Sequence, residues 1–231
     1  SKYLKKKHDN YLKEYVYSLV LDGQIKKAVN QIKSSRNLKN SNFFEGKLLL
    51  VLDLMNKKKY IQASNTIKSF NVSNENTYEF IIIKTLESFN NLFKNKKLQY
   101  STSDFGKLSL IVNAFQNCYL NSNKTDSHFL NLINSAEGDY SRYLFFYLSN
   151  VIENKDYKTA KQISKTIEPF SSTLLISQSK EWIDDENYKK FNKHFSCQNE
   201  NDLLSEFFFL VSNLYSSQNI IETSNFYLSV S

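Results

Sequence analysis

The chain of 231 residues is 41% hydrophobic, which is enough for a packed core and excludes disorder along its whole length. Its longest uninterrupted apolar runs, Leu48–Leu52 and Phe207–Val211, are about a quarter of the length that crosses a bilayer, so no transmembrane helix is expected. The net charge of +7 is uneven, because residues 1–70 hold 15 Lys and Arg against 5 Asp and Glu, whereas residues 71–231 hold 15 against 18.

The basic residues are almost all lysine. Of the 30 Lys and Arg, only Arg36 and Arg142 are arginine, and arginine is the residue that recognises phosphates and bases with two hydrogen bonds. The abundance of Lys and Asn is typical of an AT-rich genome, so we attribute the basic charge mainly to codon composition. Nucleic acid is therefore an unfavoured partner, and the charge of residues 1–70 predicts that this part of the chain meets an acidic protein surface.

Helical periodicity dominates the chain. Along Tyr78–Phe93 the apolar residues recur at intervals of 4, 4, 3 and 4 positions, which places them on one helical face; they are Tyr78, Ile82, Leu86, Phe89 and Phe93. No segment sustains the alternation of a half-buried strand. The sequence predicts an all-α fold with helix pairs at 9–21/24–36, 42–56/59–70, 75–94/97–102, 105–121/125–136, 139–153/156–168, 172–184/186–195 and 202–216/219–231.

A short phrase recurs at the turn inside these pairs. In each copy a polar turn is followed by a bulky apolar residue, two mostly polar residues and a small or apolar residue that opens a helix. The copies are Asp22–Ala28, Lys57–Ala63, Asn154–Ala160 and, more loosely, Asp185–Phe191. The interval from Ala28 to Ala63 has the size that is typical of helix-pair repeats, which bury their apolar faces against their neighbours.

A second internal match supports the same repeat. The segment Phe145–Asn150 recurs as Phe208–Asn213, displaced by about two repeat periods and located in the first helix of each pair. The same displacement carries Ala160 onto Thr223, which is again small and again lies at the start of a second helix.

These features resemble the tetratricopeptide repeat family over most of the chain. Ala28, Ala63 and Ala160 fit its small position, while Tyr60, Tyr157 and Tyr188 fit its aromatic position, with Ile25 as a substitute. The chain departs from the family in lacking its first-helix glycine, in having at best Pro169 as a repeat-ending proline, and in placing Phe191 at the small position. The resemblance implies one right-handed α–α superhelix over residues 1–231, a solenoid of about seven helix pairs whose first helices line a concave face that holds a peptide or a protein.

The resemblance also suggests where a partner binds. Four residues of the helix predicted at 139–153 lie on a single stripe, and three of them have counterparts in the displaced copy. Both helices therefore present an aromatic ring flanked by hydroxyls, which suits the wall of a peptide groove. The candidate partner-binding residues are Arg142, Phe145, Ser149, Glu153, Ser205, Phe208 and Ser212. The alternative is that both Phe residues belong to the core between repeats. The carboxylate clamp of chaperone-binding family members is not assembled, because the matching first helices offer Lys13 and Tyr17, then Leu48 and Leu52.

Catalytic and metal chemistry has little support in the sequence. Cys118 and Cys197 are far apart in the chain and form no paired motif, so we expect no disulfide framework. His194 and Cys197 have the spacing of two ligands on one helical face, but two ligands do not complete a zinc site. We expect no catalytic residues, no metal and no cofactor.

The sequence therefore predicts a non-catalytic scaffold that binds a protein or peptide on its concave face. An RNA-binding helical repeat that uses the basic N-terminal third, and a solenoid arm of a larger enzyme, are the alternatives. Phe226, Tyr227 and Val230 suggest an apolar C-terminal end without a polar capping helix, which predicts self-association or further repeats. The compartment, cytoplasm or periplasm, stays open.

Overall fold

The structure, a computed structural model, describes residues 9–35, 43–72, 74, 77–99, 105–134, 141–168 and 172–231. Within these residues the fold is all-helical and contains no β-strand, which confirms the predicted class. The helices are α1 (Asp9–Leu21), α2 (Ile25–Ser34), α3 (Phe44–Asn56), α4 (Tyr60–Lys68), α5 (Tyr78–Asn95), α6 (Lys107–Tyr119), α7 (Thr125–Ile133), α8 (Ser141–Glu153), α9 (Tyr157–Ser164), α10 (Leu174–Asp184), a 3₁₀ helix (Tyr188–Lys193), α11 (Glu200–Ser217) and α12 (Ile221–Val230).

Two predicted helices differ from the structure. The second helix of the third pair, predicted at 97–102, is not helical at residues 97–99, and its remainder lies outside the described residues, as does Pro169. The helix predicted at 186–195 is the 3₁₀ helix Tyr188–Lys193. Its Phe191 occupies the position that is small in other pairs and is fully buried, with its ring stacked 5.7 Å from that of Phe145.

Six turns in the described parts of the chain share one backbone geometry, and four of them are the turns of the repeated phrase. At the first of them Gly23 has a φ of 70°, its N–H donates to the Val20 carbonyl, and the next N–H, that of Gln24, donates to the Leu19 carbonyl. This is the Schellman closure of a helix end. A residue with positive φ and the same two backbone hydrogen bonds occur again at five further turns, at Lys58, Asn121, Lys155, Glu186 and Asn219.

The small residues lie where the repeat predicts, with one correction. Ala28, Ala63 and Ala160 are fully buried, and each is the fourth residue of its helix. In α12 the fourth residue is Ser224, so the predicted counterpart Thr223 is wrong by one position. The shift arises at the turn before each second helix. The left-handed turn residues Lys155 and Asn219 are separated by one residue more than the matching residues of the two first helices, Phe145 and Phe208.

The chain divides into two compact units, which are described separately. Unit 1 comprises Ser1–Ser101 with Leu204–Ser231, and unit 2 comprises Thr102–Leu203. In both units helices that are neighbours in sequence pack together. A single continuous superhelix over residues 1–231 and membership of the tetratricopeptide family stay predictions.

Unit 1 also contains contacts between helices that are far apart in sequence. The last helix, α12, packs against α1, where the rings of Tyr17 and Phe226 lie 4.8 Å apart. α11 packs along α5 through Phe89 and Phe207, whose ring centroids are 6.2 Å apart.

The expectation that helices contact only their sequence neighbours is therefore wrong in this unit. Phe226 and Tyr227 are fully buried, so the predicted apolar C-terminal end is wrong for both rings.

Unit 2 has an aromatic core with a disulfide beside it. The ring of Phe115 on α6 contacts Phe129, Phe146 and Phe195 at centroid distances of 6.1, 5.5 and 5.7 Å. Cys118, one helical turn further along α6, forms a disulfide with Cys197, with the two Cα atoms 5.6 Å apart. The expectation of unpaired cysteines is wrong, because the fold brings together two residues that no local motif connects.

The left-handed turn residues give a first stability prediction. For a residue with a side chain, the left-handed conformation that glycine adopts freely costs roughly 1–2 kcal/mol. We therefore expect Lys155→Gly to raise the free energy of unfolding by about 1 kcal/mol. Lys158→Gly, an exposed position inside α9, should lower it by about 0.5–1 kcal/mol. Urea titration measures both, and a loss of stability in Lys155→Gly would contradict the assigned turn geometry.

The buried alanines give a second prediction. Ala160 is fully buried in α9, and extra methylenes at a closely packed site cost about 1–3 kcal/mol. Ala160→Leu should lower the melting temperature accordingly, whereas Lys158→Leu on the exposed side of the same helix should change it little. An unchanged melting temperature in Ala160→Leu would show that the packing register of α9 is wrong.

The disulfide gives a third prediction. Cross-linking two residues with a sequence separation of 79 removes chain entropy from the unfolded state that is worth about 4 kcal/mol. Thiol titration of the denatured, unreduced chain should find no free thiol, and reduction should release both. The reduced chain, and the double variant Cys118→Ser with Cys197→Ser, should unfold at lower urea concentrations. Equal stability of the two forms would contradict a structural bond.

Candidate functional site

The aromatic and hydroxyl residues of the predicted stripe are core residues. Phe145 and Phe208 are only 2% and 1% exposed, and Ser149 and Ser212 are buried as well. Ser149 donates to the backbone carbonyl of Phe145 at 2.9 Å, while Ser212 and Ser224 each donate to the other's carbonyl, also at 2.9 Å. The expected exposure of these four side chains on a groove wall is therefore wrong, and the alternative, core between helices, describes them.

The other three residues of the stripe are half-buried and keep a partner role only as a prediction. The Arg142 guanidinium lies 5.3 Å from the ring of Phe146, and the Glu153 carboxylate accepts a hydrogen bond of 2.7 Å from the Ser196 hydroxyl. Arg142 and Glu153 belong to unit 2, whereas Ser205 belongs to unit 1.

A different set of side chains converges in unit 1. Five helices contribute tyrosines and glutamates to one place, which we call the tyrosine–glutamate cluster: Tyr17 of α1, Glu45 of α3, Tyr78 and Glu79 of α5, Tyr215 of α11 and Tyr227 of α12. The Tyr215 ring is the centre of the aromatic part, with Tyr78 edge-on at 5.2 Å and Tyr227 stacked at 5.3 Å. Tyr227 is fully buried, Tyr17, Glu45, Tyr78 and Tyr215 are half-buried, and Glu79 is exposed.

The local sequence explains how the two carboxylates come to face the cluster. Glu45 and Glu79 lie in the first turns of α3 and α5, where the partial positive charge of a helix N-terminus favours an acidic side chain. The interval between them is close to the repeat period, so they hold equivalent positions in consecutive first helices. Thr77 caps α5 by accepting a hydrogen bond from the Phe80 N–H at 3.3 Å, which fixes where that first turn begins.

The pKa shifts show that these groups share one electrostatic environment. Burial, followed by the negative charge of Glu45, raises the pKa of the Glu79 carboxyl above its usual range. Burial and then the charges of Glu79 and Glu45 raise the pKa of Tyr215 to about 12. Burial and then Glu45 likewise raise the pKa of Tyr17 far above that of a free tyrosine. The cluster is therefore a region of negative potential in which the tyrosine hydroxyls stay protonated.

One hydroxyl in the cluster lacks a hydrogen bond. The Tyr227 side chain is fully buried, and its oxygen has no hydrogen-bond partner of good geometry among the described residues. The neighbouring Tyr215 lies near enough for Tyr227 to lower its pKa slightly, but the two hydroxyls do not form a well-aligned bond. Burial, followed by the proximity of Tyr215 and Glu45, raises the pKa of Tyr227 well above its ordinary value.

A groove of about 570 Å³ adjoins the cluster at Tyr17. It is lined by Glu14, Tyr17, Ser18, Leu21 and Asp22 of α1 and its turn, and by Glu222 of α12. We call it the Tyr17 groove. Three of its six lining residues carry carboxylates, and Tyr17 belongs to both the groove and the cluster.

Phe43 and Gly46 hold Tyr17 in place. The Phe43 ring stacks 6.3 Å from the Tyr17 ring and lies directly over Gly46, where an added Cβ would come within 2.5 Å of it. Lys13, one helical turn before Tyr17, has its ammonium nitrogen 5.7 Å from the centre of the Phe43 ring. This lysine therefore covers Phe43 and forms no ion pair with Glu45 in the described parts of the chain.

The chemistry of the cluster is that of hydrogen-bond acceptors on aromatic walls. Carboxylates accept hydrogen bonds, a protonated tyrosine both donates and accepts, and the ring faces carry negative quadrupole potential. Across the described residues, no three His, Cys, Asp or Glu side chains are grouped so as to hold a metal ion. None of the described helices is both long and apolar enough to cross a bilayer.

Comparison of the chain with protein-family models, with curated proteins and with solved structures finds no match.

Sequence reasoning names three members of the cluster for other reasons, among them Tyr78 on the apolar stripe of Tyr78–Phe93, and misses the rest. Tyr17 draws notice on a first helix and Tyr227 at the chain end, but Glu45, Glu79 and Tyr215 carry no predicted role. A usable signal existed in the period, because acidic residues recur at about one repeat interval in the first turns of α3 and α5.

Proposed function

We propose that the chain is a non-catalytic interaction module and that a segment of a partner protein binds at the tyrosine–glutamate cluster of unit 1. The convergence of five helices on one cluster supports this proposal, since four of them, α1, α3, α5 and α11, are the first helices of their pairs. Half-buried tyrosine rings beside accessible carboxylates have the composition of recognition surfaces, in which aromatic residues supply contact area and a few polar groups fix orientation.

The resemblance to tetratricopeptide repeats supports the same proposal. In that family the first helices line the concave face that holds a peptide, and here the first helices supply most of the cluster. A right-handed superhelix of about seven pairs is part of the proposal. The negative potential of the cluster repels phosphate, which weighs against RNA as the ligand at this place.

The disulfide of unit 2 supports an assignment of compartment within the proposal. Structural disulfides persist where thiols are oxidised and are rare where they are kept reduced. Of the two compartments that the sequence left open, the bond between Cys118 and Cys197 favours the periplasm over the cytoplasm.

Selection of a displayed random-peptide library on the immobilised chain tests the binding role. Glu79→Lys places a long cationic side chain over the cluster. Glu87→Lys makes the same change two turns further along α5, where Glu87 pairs with Lys84 at 3.3 Å. We expect selected peptides to lose about tenfold in affinity, or ~1.4 kcal/mol, for Glu79→Lys and little for Glu87→Lys. The proposal is wrong if no selected peptide discriminates between the two variants.

A further inference from the structure

The disulfide of unit 2 is buried beneath a short surface segment. Cys118 and Cys197 are both fully buried. Cys197 nevertheless belongs to a non-helical connection between the 3₁₀ helix and α11, residues 195–199, in which Gln198 and Asn199 are exposed. We call this connection the cysteine strap. Because thiol–disulfide exchange requires attack of a thiolate on a sulphur atom, burial of both sulphurs protects the bond while the strap is closed.

Side-chain hydrogen bonds hold the strap on α6 and α8. The Ser196 hydroxyl donates to the Glu153 carboxylate at the end of α8 at 2.7 Å, and it accepts from the Gln198 N–H at 3.1 Å. The Gln198 side-chain nitrogen donates to the backbone carbonyl of Cys118 and to the side-chain oxygen of Asn121, both at 3.3 Å. None of these bonds involves a sulphur atom, so cleavage of the disulfide leaves every one of them possible.

Both ends of the strap are fixed to unit 2. The ring of Phe195 is buried, with its centroid 4.4 Å from that of Phe146 and 5.7 Å from that of Phe115. At the other end, where α11 begins, Glu200 accepts a hydrogen bond of 2.7 Å from the Tyr119 hydroxyl. Between these anchors the bonds to α6 and α8 come from one half-buried and one exposed side chain. Such a segment opens at a lower free-energy cost than the packed helices around it.

The structure also accommodates the reduced state of Cys118. The side-chain oxygen of Asn150 lies 3.2 Å from Cys118 Sγ, and the Asn154 side-chain nitrogen donates to the same oxygen at 3.3 Å. A disulfide sulphur carries no proton, whereas a thiol is a weak donor. The contact with Asn150 can therefore become a hydrogen bond only after reduction, and it gives the buried thiol an acceptor.

We propose that the cysteine strap is a gate, which opens locally while the rest of unit 2 stays folded and so controls exchange of the Cys118–Cys197 disulfide with external thiols. An external thiolate attacks Cys197 Sγ and forms a mixed disulfide, while the electron pair of the broken S–S bond leaves on the sulphur of Cys118. This sulphur takes up a proton and donates it to Asn150. A second external thiol group then displaces Cys197 as a thiol, so that the external thiols are oxidised to a disulfide and the protein bond is reduced.

Reduction of the folded chain by dithiothreitol, followed by alkylation and mass spectrometry, measures the opening of the strap. Ser196→Ala and Gln198→Ala should each speed reduction about fivefold, the effect of one net hydrogen bond on the opening equilibrium. Thr166→Ala is the matched control, since it removes an exposed hydroxyl that donates to the Ile163 carbonyl at 2.8 Å. The control should keep the wild-type rate. Wild-type rates in both strap variants would overturn the gate.

A second comparison separates local opening from unfolding of the whole unit. Ala160→Leu disturbs the packing of α9 and leaves the bonds of the strap intact, so it should lower the melting temperature without speeding reduction. Faster reduction in proportion to its lost stability would overturn the gate, because the bond would then react only in the unfolded chain. The chain unfolded in urea gives the rate of an accessible disulfide. The folded chain should react at least about tenfold more slowly, and equal rates would also overturn the proposal.

The reduced state has a test of its own in a glutathione buffer. Asn150→Ala removes the acceptor of the Cys118 thiol and should shift the ratio of dithiol to disulfide about threefold toward the disulfide. Asn154→Ala removes the other group on the same oxygen and should leave the ratio unchanged. An unchanged ratio in Asn150→Ala would overturn the role of Asn150. The reduced wild-type chain should keep its helical circular dichroism and re-form the bond with oxidised glutathione. Loss of that signal on reduction would overturn exchange in the folded state.

Discussion

The packing of the last helix pair, α11 and α12, against α1 and α5 is the interaction on which unit 1 depends. Tyr17 meets Phe226 and Phe89 meets Phe207, so residues from opposite ends of the chain share one core. Burying a large apolar side chain contributes about 1.5–3 kcal/mol, and Phe226 and Tyr227 are both fully buried here. The cluster exists only because this packing brings α11 and α12 to the three first helices of the N-terminal part.

The helices and their turns could be predicted from sequence because their causes are local. A stripe of apolar residues needs only the helical period, and each Schellman turn is closed by bonds between the last helical turn and the residues that follow it directly. The contact between α1 and α12 has no such local signature, since nothing in Tyr17 or Phe226 identifies the other as its partner. In a simple repeat array each helix contacts only its neighbours in sequence, so the repeat pattern predicts that α1 and α12 do not touch. The disulfide was missed for the same reason, because Cys118 and Cys197 are brought together only by the packing of unit 2.

The candidate site shows a related limit. Spacing established that Phe145 and Phe208 lie on a helical face, but it did not tell whether that face meets water or another helix. Both rings meet another ring, Phe191 in one case and Tyr227 in the other, because each first helix is covered by the second element of its own or the next pair. The serines beside these aromatic residues also led to a wrong prediction of exposure. Ser149 and Ser212 are buried without loss of hydrogen bonding, because their hydroxyls donate to backbone carbonyls.

Net charge over a segment is a poor guide to the charge of its site, and unit 1 shows why. Residues 1–70 are strongly basic, but many of their described lysines are exposed and belong to turns or second helices: Lys26, Lys27, Lys58, Lys59 and Lys68. The carboxylates Glu14 and Glu45 belong instead to first helices, and they face Tyr17. First and second helices of this part of the chain thus carry opposite charge. The net charge of residues 1–70 is therefore set mainly by solvent-exposed lysines. A ligand at the cluster would instead meet the smaller number of carboxylates that the fold brings to that place.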